Sequence, residues 1–126
     1  MNPINPQKIT LNIHEPDLVN NFQEVELAGE IDRDSMANFR DQMEAFLASF
    51  QGINLVLNLE KFMFTNSEGI GYLSDIHNRF DLQNKHLFII KASSRIMDIF
   101  LLVGLNQIIP CYSTIDELIQ NIKQNK

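Results

Sequence analysis

An α/β sandwich, helices packed on a mixed sheet, follows from three observations on the sequence. Short aliphatic segments alternate with longer stretches whose apolar residues recur every three or four positions, so strands and helices succeed one another. The first two strand-like segments lie too close together for a helix between them, which predicts an antiparallel hairpin. The later strand–helix–strand units should be parallel, because a helix between two strands makes a crossover.

Taken in order, Ile9, Leu11 and Ile13 alternate with polar residues, as in a half-buried strand. Residues 16–21 break the alternation. Val25 and Leu27, with Phe22 as a candidate first member, resume it up to Gly29. From Asp34 the spacing changes: Met36, Phe39, Met43, Phe46, Leu47 and Phe50 share one helix face. Gly52 is the expected left-handed terminator of that helix. The stretch INLVLNL, residues 53–59, reads as a buried strand.

A second helical stripe follows, with Ile70, Leu73, Ile76 or His77, and Phe80. HLFII, residues 86–90, is a further buried strand. Ser93 or Ser94 can cap a third helix carrying Ile96, Ile99, Phe100 and Val103, closed by Gly104. Ile108 and Ile109 fit a short last strand before Pro110. Ser113 or Thr114 opens the final helix, with Ile115, Leu118, Ile119 and Ile122 on one face. Thr114 and Glu117 have capping-box spacing.

Bulk properties bound the function. A chain of 126 residues, 44% hydrophobic and 21% charged, is one globular domain with a single core, and residues 1–8 and 123–126 are expected as flexible ends. No repeat, low-complexity tract or linker interrupts it. A net charge of −6 argues against direct nucleic-acid binding, where clustered Lys and Arg must neutralise phosphates, and leaves a basic protein partner open. No secretory signal or bilayer-spanning run is visible, and the single Cys111 cannot form an internal disulfide. A cytoplasmic, monomeric protein is the expectation.

The candidate sites narrow quickly. His14, His77 and His86 lack metal-ligand spacing with one another or with Cys111, so no metal is expected. His77 reads as a packing residue, and Met36, Met43 and Met97 as core. Cys111 reads as a small buried hydrophobe. Glu30, Asp32 and Asp34 precede a helix, where carboxylates satisfy free amides and complement the dipole. Gly69 and Gly71 are not followed by the GK[ST] of a phosphate loop. The stretch FTNSEGIGYL, residues 64–73, also lacks the first glycine of a hydrolase nucleophile elbow, Thr65 standing there. No base–nucleophile pair is apparent, so an enzyme is not expected.

Ser67 nevertheless stands at a predicted helix N-terminus, where free N–H groups and the helix dipole favour negative charge. A phosphate there would add about −1.5 to −2 charges beside Glu68 and, where the loops cluster, Asp32. Such charge would block docking without unfolding the domain. A plain N-cap is the competing reading.

VELAGEID at 25–32, LVLNLEKFMFTNSEGIGYL at 55–73 and VGLNQIIPCYSTIDELI at 103–119 resemble, in order, the STAS domain of bacterial anti-sigma factor antagonists. The resemblance runs from about Ile9 to Ile122. It implies a small mixed sheet of about four to five strands with helices packed mainly on one face, in agreement with the elements above. It also implies partner switching: the unphosphorylated antagonist binds an anti-sigma factor and frees the sigma factor for transcription. The anti-sigma factor is often an ATP-dependent serine kinase, and a phosphatase reverses its action. The family's D-S-[ST]-G motif reads Asn66-Ser67-Glu68-Gly69 here, so Ser67 matches the phosphoacceptor and Gly69 the following glycine. Asp32 matches the acidic residue of the family's GE[IL]D loop, with Glu30 beside it, and these residues are implied in partner binding together with Asn66 and Glu68. No cofactor is implied, ATP belonging to the kinase. Asn66 and Glu68 depart from the motif, removing a charge before the serine and adding one after it. The alternative is a STAS module that binds without modification, as a subunit of a lipid ABC transporter or a stress-signalling complex.

Overall fold

The computed structural model describes residues 8–124. Its elements are β1 (Ile9–Ile13), β2 (Gln23–Ile31), α1 (Met36–Ser49), β3 (Asn54–Thr65), α2 (Ser67–Leu82), β4 (His86–Ile90), α3 (Ser94–Val103), a 3₁₀ turn (Leu105–Gln107), β5 (Cys111–Tyr112) and α4 (Ile115–Gln124). The sheet order is β1-β2-β3-β4-β5. Only β1 and β2 are antiparallel, and every later pair is parallel, as the connection lengths require.

Alternation sorts the side chains into two layers. Leu27, Leu57 and Ile89 face α1, α2 and α3, where Phe39, Met43, Leu73, Ile76 and Phe100 complete the main core. Val56, Phe88 and Ile90 face the other way and pack with Leu118 of α4. Three helices therefore cover one face and one helix covers part of the other. Ile76 is buried and His77 only half-buried, so Ile76 holds the stripe position. Met36 and Met43 are core, and Met97 packs against it.

Several local expectations are met and three are corrected. Gly104 closes α3 at φ 78°, and Ser93, rather than Ser94, caps it by accepting the Ile96 N–H at 3.2 Å. Thr114 Oγ1 accepts the Glu117 N–H at 3.2 Å, while the Glu117 carboxylate reaches the N–H of Ser113 instead of closing a reciprocal box. Gly52 is not the terminator of α1. That helix ends at Phe50, which turns extended (φ −73°, ψ 118°) and stacks on Phe80 with ring centroids 5.7 Å apart. The chain leaves the helix at a buried aromatic, not at a glycine.

Ile108 and Ile109 are not a strand either. Both N–H groups bond the Leu105 carbonyl, at 3.1 and 2.9 Å, in the turn after α3. The ladder starts beyond them, where the Pro110 carbonyl accepts from Ile89 at 3.0 Å and Cys111–Tyr112 pair with β4.

Third, β3 does not stop at residue 59 but runs on to Thr65. Two register shifts against β2, between Glu26 and Ala28 and between Gly29 and Glu30, each place an extra residue on β3. These bulges break the period of two and bend the strand end toward the loop after β2.

The expected flexible ends fall mostly outside the described residues. Of those described, Lys8 is bonded to Asp32, and Lys123 and Gln124 belong to α4. No helix among the described residues is long and apolar enough to cross a membrane.

Candidate functional site

The bulged end of β3 delivers Thr65 opposite Ile31, and the Asn66 N–H donates to the Ile31 carbonyl at 3.0 Å. Asp32 follows Ile31 and Ser67 follows Asn66, so the two loops singled out in the sequence lie side by side. Asn66, not Ser67, is the N-cap of α2: its Oδ1 accepts the Gly69 N–H at 2.9 Å. This overturns the reading of Ser67 as a plain cap. Ser67 occupies the first helical position, is exposed, and its hydroxyl bonds no group among the described residues.

Gly69 is required by space. A Cβ there would lie 2.2 Å from the Thr65 hydroxyl and 2.9 Å from Ile31 Cγ2. The first turn of α2 is thereby pressed against both strand ends. Gly71 meets nothing within 4 Å. Asn66 accepts the N3 amide as an aspartate would, so its departure from the usual motif keeps the cap and changes only the charge.

Asp32 is held from two sides. Its Oδ1 accepts the N–H groups of Asp34 (2.9 Å) and Ser35 (3.0 Å), and its Oδ2 accepts from Lys8 Nζ at 2.8 Å. The ammonium of Lys8 first, and the Ser35 and Asp34 bonds after it, bring its carboxyl down to about 2. The expected helix-entry role is therefore real, and it leaves Asp32 partly exposed beside the α2 N-terminus. Glu30 is exposed, and its carbonyl accepts from the buried Ser35 hydroxyl at 2.8 Å. Asp34 pairs with Lys8 at 3.3 Å.

Glu68 pairs with Arg40 of α1 at 3.7 Å, and the Arg40 guanidinium lies 5.3 Å from the Tyr72 ring centre. Behind them Arg79 reaches both oxygens of Glu44, at 2.9 and 3.2 Å, and the Tyr72 hydroxyl donates to the same carboxylate. The Arg79 guanidinium, then the Tyr72 hydroxyl, hold the Glu44 carboxyl below its usual range. A shallow depression between Arg40, Glu68, Tyr72 and Asp75 adjoins the serine. A larger groove, about 760 Å³, lies at the opposite sheet end, between Ile13, Phe22, Phe46 and Ile53.

The spacing of residues carried no signal for Lys8 or Arg40, since both act through long-range contacts. Met63 and Phe64 are exposed on the last residues of β3, beyond the point where the bulges erase the strand's period. Cys111 is half-buried, and its thiol donates to the Ile109 carbonyl at 3.4 Å. Burial pushes that thiol up to about 11, the opposite of an activated nucleophile. Among the described residues one group could hold a metal ion: His14, Glu24 and Glu26, each offering one ligand atom within 4.8 Å of the others. Histidine and cysteine spacing gives no sign of this set, because its other members are glutamates on the neighbouring strand.

No curated protein matches the chain. Among solved structures, an anti-sigma factor antagonist from Mycobacterium paratuberculosis superposes with TM-score 0.74 at 22% identity, covering 94% of this chain and 97% of its own. The unphosphorylated anti-sigma factor antagonist SpoIIAA gives TM-score 0.68 at 19% identity, with coverages of 91% and 97%. The phosphorylated form of the Bacillus cell fate determinant SpoIIAA gives 0.62 at 16%, with coverages of 90% and 99%. These likenesses show the fold. The sequence model of the STAS domain matches residues 15–118, from the β1–β2 loop into α4, and the chain belongs to the STAS domain family.

Proposed function

We propose that this protein is an anti-sigma factor antagonist whose docking surface is the junction of the β2–α1 loop with the N-terminus of α2, switched by phosphorylation of Ser67. The observation that carries the reading is the placement of Ser67: exposed, its hydroxyl bonded to no group among the described residues, and one backbone bond from the Asp32 loop. Similarity in fold to anti-sigma factor antagonists, one of them in a phosphorylated form, supports it. Asp32, Glu30, Asn66, Glu68 and Gly69 form the docking surface in this reading. The protein acts by binding. Phosphoryl transfer belongs to an anti-sigma factor that is also a serine kinase, and its reversal to a phosphatase.

The switch is local. A phosphoserine carries about −1.5 to −2 charges and would sit beside Glu68 and Asp32. Lys8 and Arg40 already neutralise part of that acidity, so the new charge changes the sign balance of the surface rather than adding to a saturated one. Free N–H groups of the first helical turn accept the anion without disturbing the core.

The test is incubation with the cognate kinase and ATP, followed by intact-mass and peptide mass spectrometry. One phosphate on Ser67 is expected. Ser67→Ala should bind the anti-sigma factor constitutively, and Ser67→Asp should bind weakly yet melt near the parent temperature. A phosphate on Thr65 or Ser74, or none with an active kinase, would leave a surface that binds without modification.

A further inference from the structure

The sheet face opposite α1–α3 carries a polar cluster that the antagonist reading does not use. We propose that His14, Glu24 and Glu26 bind one divalent transition-metal cation, with Zn²⁺ the ion best suited to the donors. The antiparallel register builds the set. Asn12 stands opposite Glu26, Ile13 opposite Val25, and the His14 N–H donates to the Glu24 carbonyl at 3.0 Å. Residues 24 and 26 are two apart on one strand and share a face, with His14 across from one and diagonal to the other.

One imidazole nitrogen and two carboxylate oxygens lie within 4.8 Å of one another. Zinc bonds of about 2.0–2.2 Å need donors separated by roughly 3–3.5 Å, a closure within reach of side-chain rotation. His14 Nε2 and Glu26 Oε2 are already in contact, and a cation would take the place of the proton between them. Glu24 adds a third donor within reach of that pair.

Supporting groups are in place around the two carboxylates. Asn58 Nδ2 donates to Glu24 Oε2 at 2.8 Å, and Asn12 Nδ2 to Glu26 Oε2 at 3.2 Å. Such amides orient ligating carboxylates without neutralising them. The nearest ammonium, Lys61 Nζ, is 3.9 Å from the other Glu26 oxygen on a side chain 67% exposed, free to swing away. The Glu26 side chain is 21% exposed and His14 40%, leaving the remaining coordination positions to water. Mixed imidazole and carboxylate donors favour zinc over the all-oxygen preference of Mg²⁺.

Glu24 pairs with Val56 near the start of β3, whereas Ile31 pairs with Thr65 beside the serine. The cation site is therefore about 20 Å from Ser67 along the strand, and it stands or falls independently of phosphorylation. Its effect would be on the β1–β2 hairpin, since His14 lies just past the edge strand and both glutamates lie on its neighbour.

The experiment is calorimetric titration of Zn²⁺ into untagged, chelator-treated full-length protein, with melting curves in parallel. One ion per chain and a rise in melting temperature with zinc are expected. His14→Gln, Glu24→Gln and Glu26→Gln should each weaken binding at least about tenfold. Asp98→Asn, the same charge change on α3, should leave it unaltered. Should His14→Gln fail to fold, Glu24→Gln keeps the His14–Glu26 pair and reads the same loss. Several weak ions per chain, an adventitious ion only, would overturn the proposal. So would zinc binding that survives the three substitutions, or Mg²⁺ binding of equal strength.

Discussion

Asp32 joins three parts of the chain: the Lys8 ammonium, the backbone entering α1, and the surface beside Ser67. Replacing it with alanine removes two backbone acceptor contacts and an exposed ion pair, a loss that lowers the melting temperature modestly. In the proposed function the same change deletes a recognition group. Asp32→Ala should therefore lose anti-sigma affinity by more than it loses stability, measured by titration and melting of one preparation. Unchanged binding in the folded variant would restrict Asp32 to shaping the turn. Two glycines of α2 make a sharper residue-scale contrast. Gly69→Ala drives a methyl into the Thr65 hydroxyl, at a cost of about 1–3 kcal/mol. Gly71→Ala has open space in a helix and should stabilise by about 0.4–1 kcal/mol. Denaturant midpoints of the two variants should move in opposite directions.

At the scale of elements, α4 stands apart from the other helices. Leu118, fully buried, anchors it to Val56, Phe88 and Ile90 on the less-covered sheet face. Leu118→Ala should cost about 2–5 kcal/mol. Hydrogen exchange should show the largest loss of protection in α4 and β5, with the proposed phosphorylation of Ser67 unaltered at temperatures below melting. The α1–α2 pair is organised differently, by Glu44, Arg79 and Tyr72 across its partly exposed rim and by Phe39 against Tyr72 below, ring centroids 5.6 Å apart. That arrangement keeps the serine-bearing helix fixed on α1, as the proposed switch requires if charge is to be added without moving the fold.

For the whole molecule, acid is the predicted weak point. Lys8 lowers Asp32, Asn20 lowers Asp17, His14 lowers Glu26 and Arg79 lowers Glu44 from ordinary values of 3.8 for aspartate and 4.5 for glutamate. A carboxyl depressed in the folded state contributes stability above its unfolded value and loses it as pH falls through its folded value. The melting temperature should therefore decline from about pH 4.5 toward pH 2, and Glu44→Gln should make the decline shallower. Thermal melts over pH 2–7 measure this. Lys8 has the opposite sign: raised above 10.5 by the Asp32 and Asp34 bonds, it contributes below that pH and fades as alkali rises through its folded value.

The sequence by itself determined the alternation of strands and helices, the antiparallel start and parallel remainder, and the place of Ser67 at a helix entrance. These properties are local, set by periodicity, capping residues and connection length. It also carried the three ordered motifs by which the family is identified. Only the tertiary structure decided the rest. Whether Asn66 or Ser67 caps α2 depends on which oxygen reaches the Gly69 N–H. The full length of β3 depends on bulges that erase its period. The pairing of Lys8 with Asp32, and the meeting of His14 with Glu24 and Glu26, depend on strand register, which joins residues ten to twenty-four positions apart and leaves no trace in their spacing.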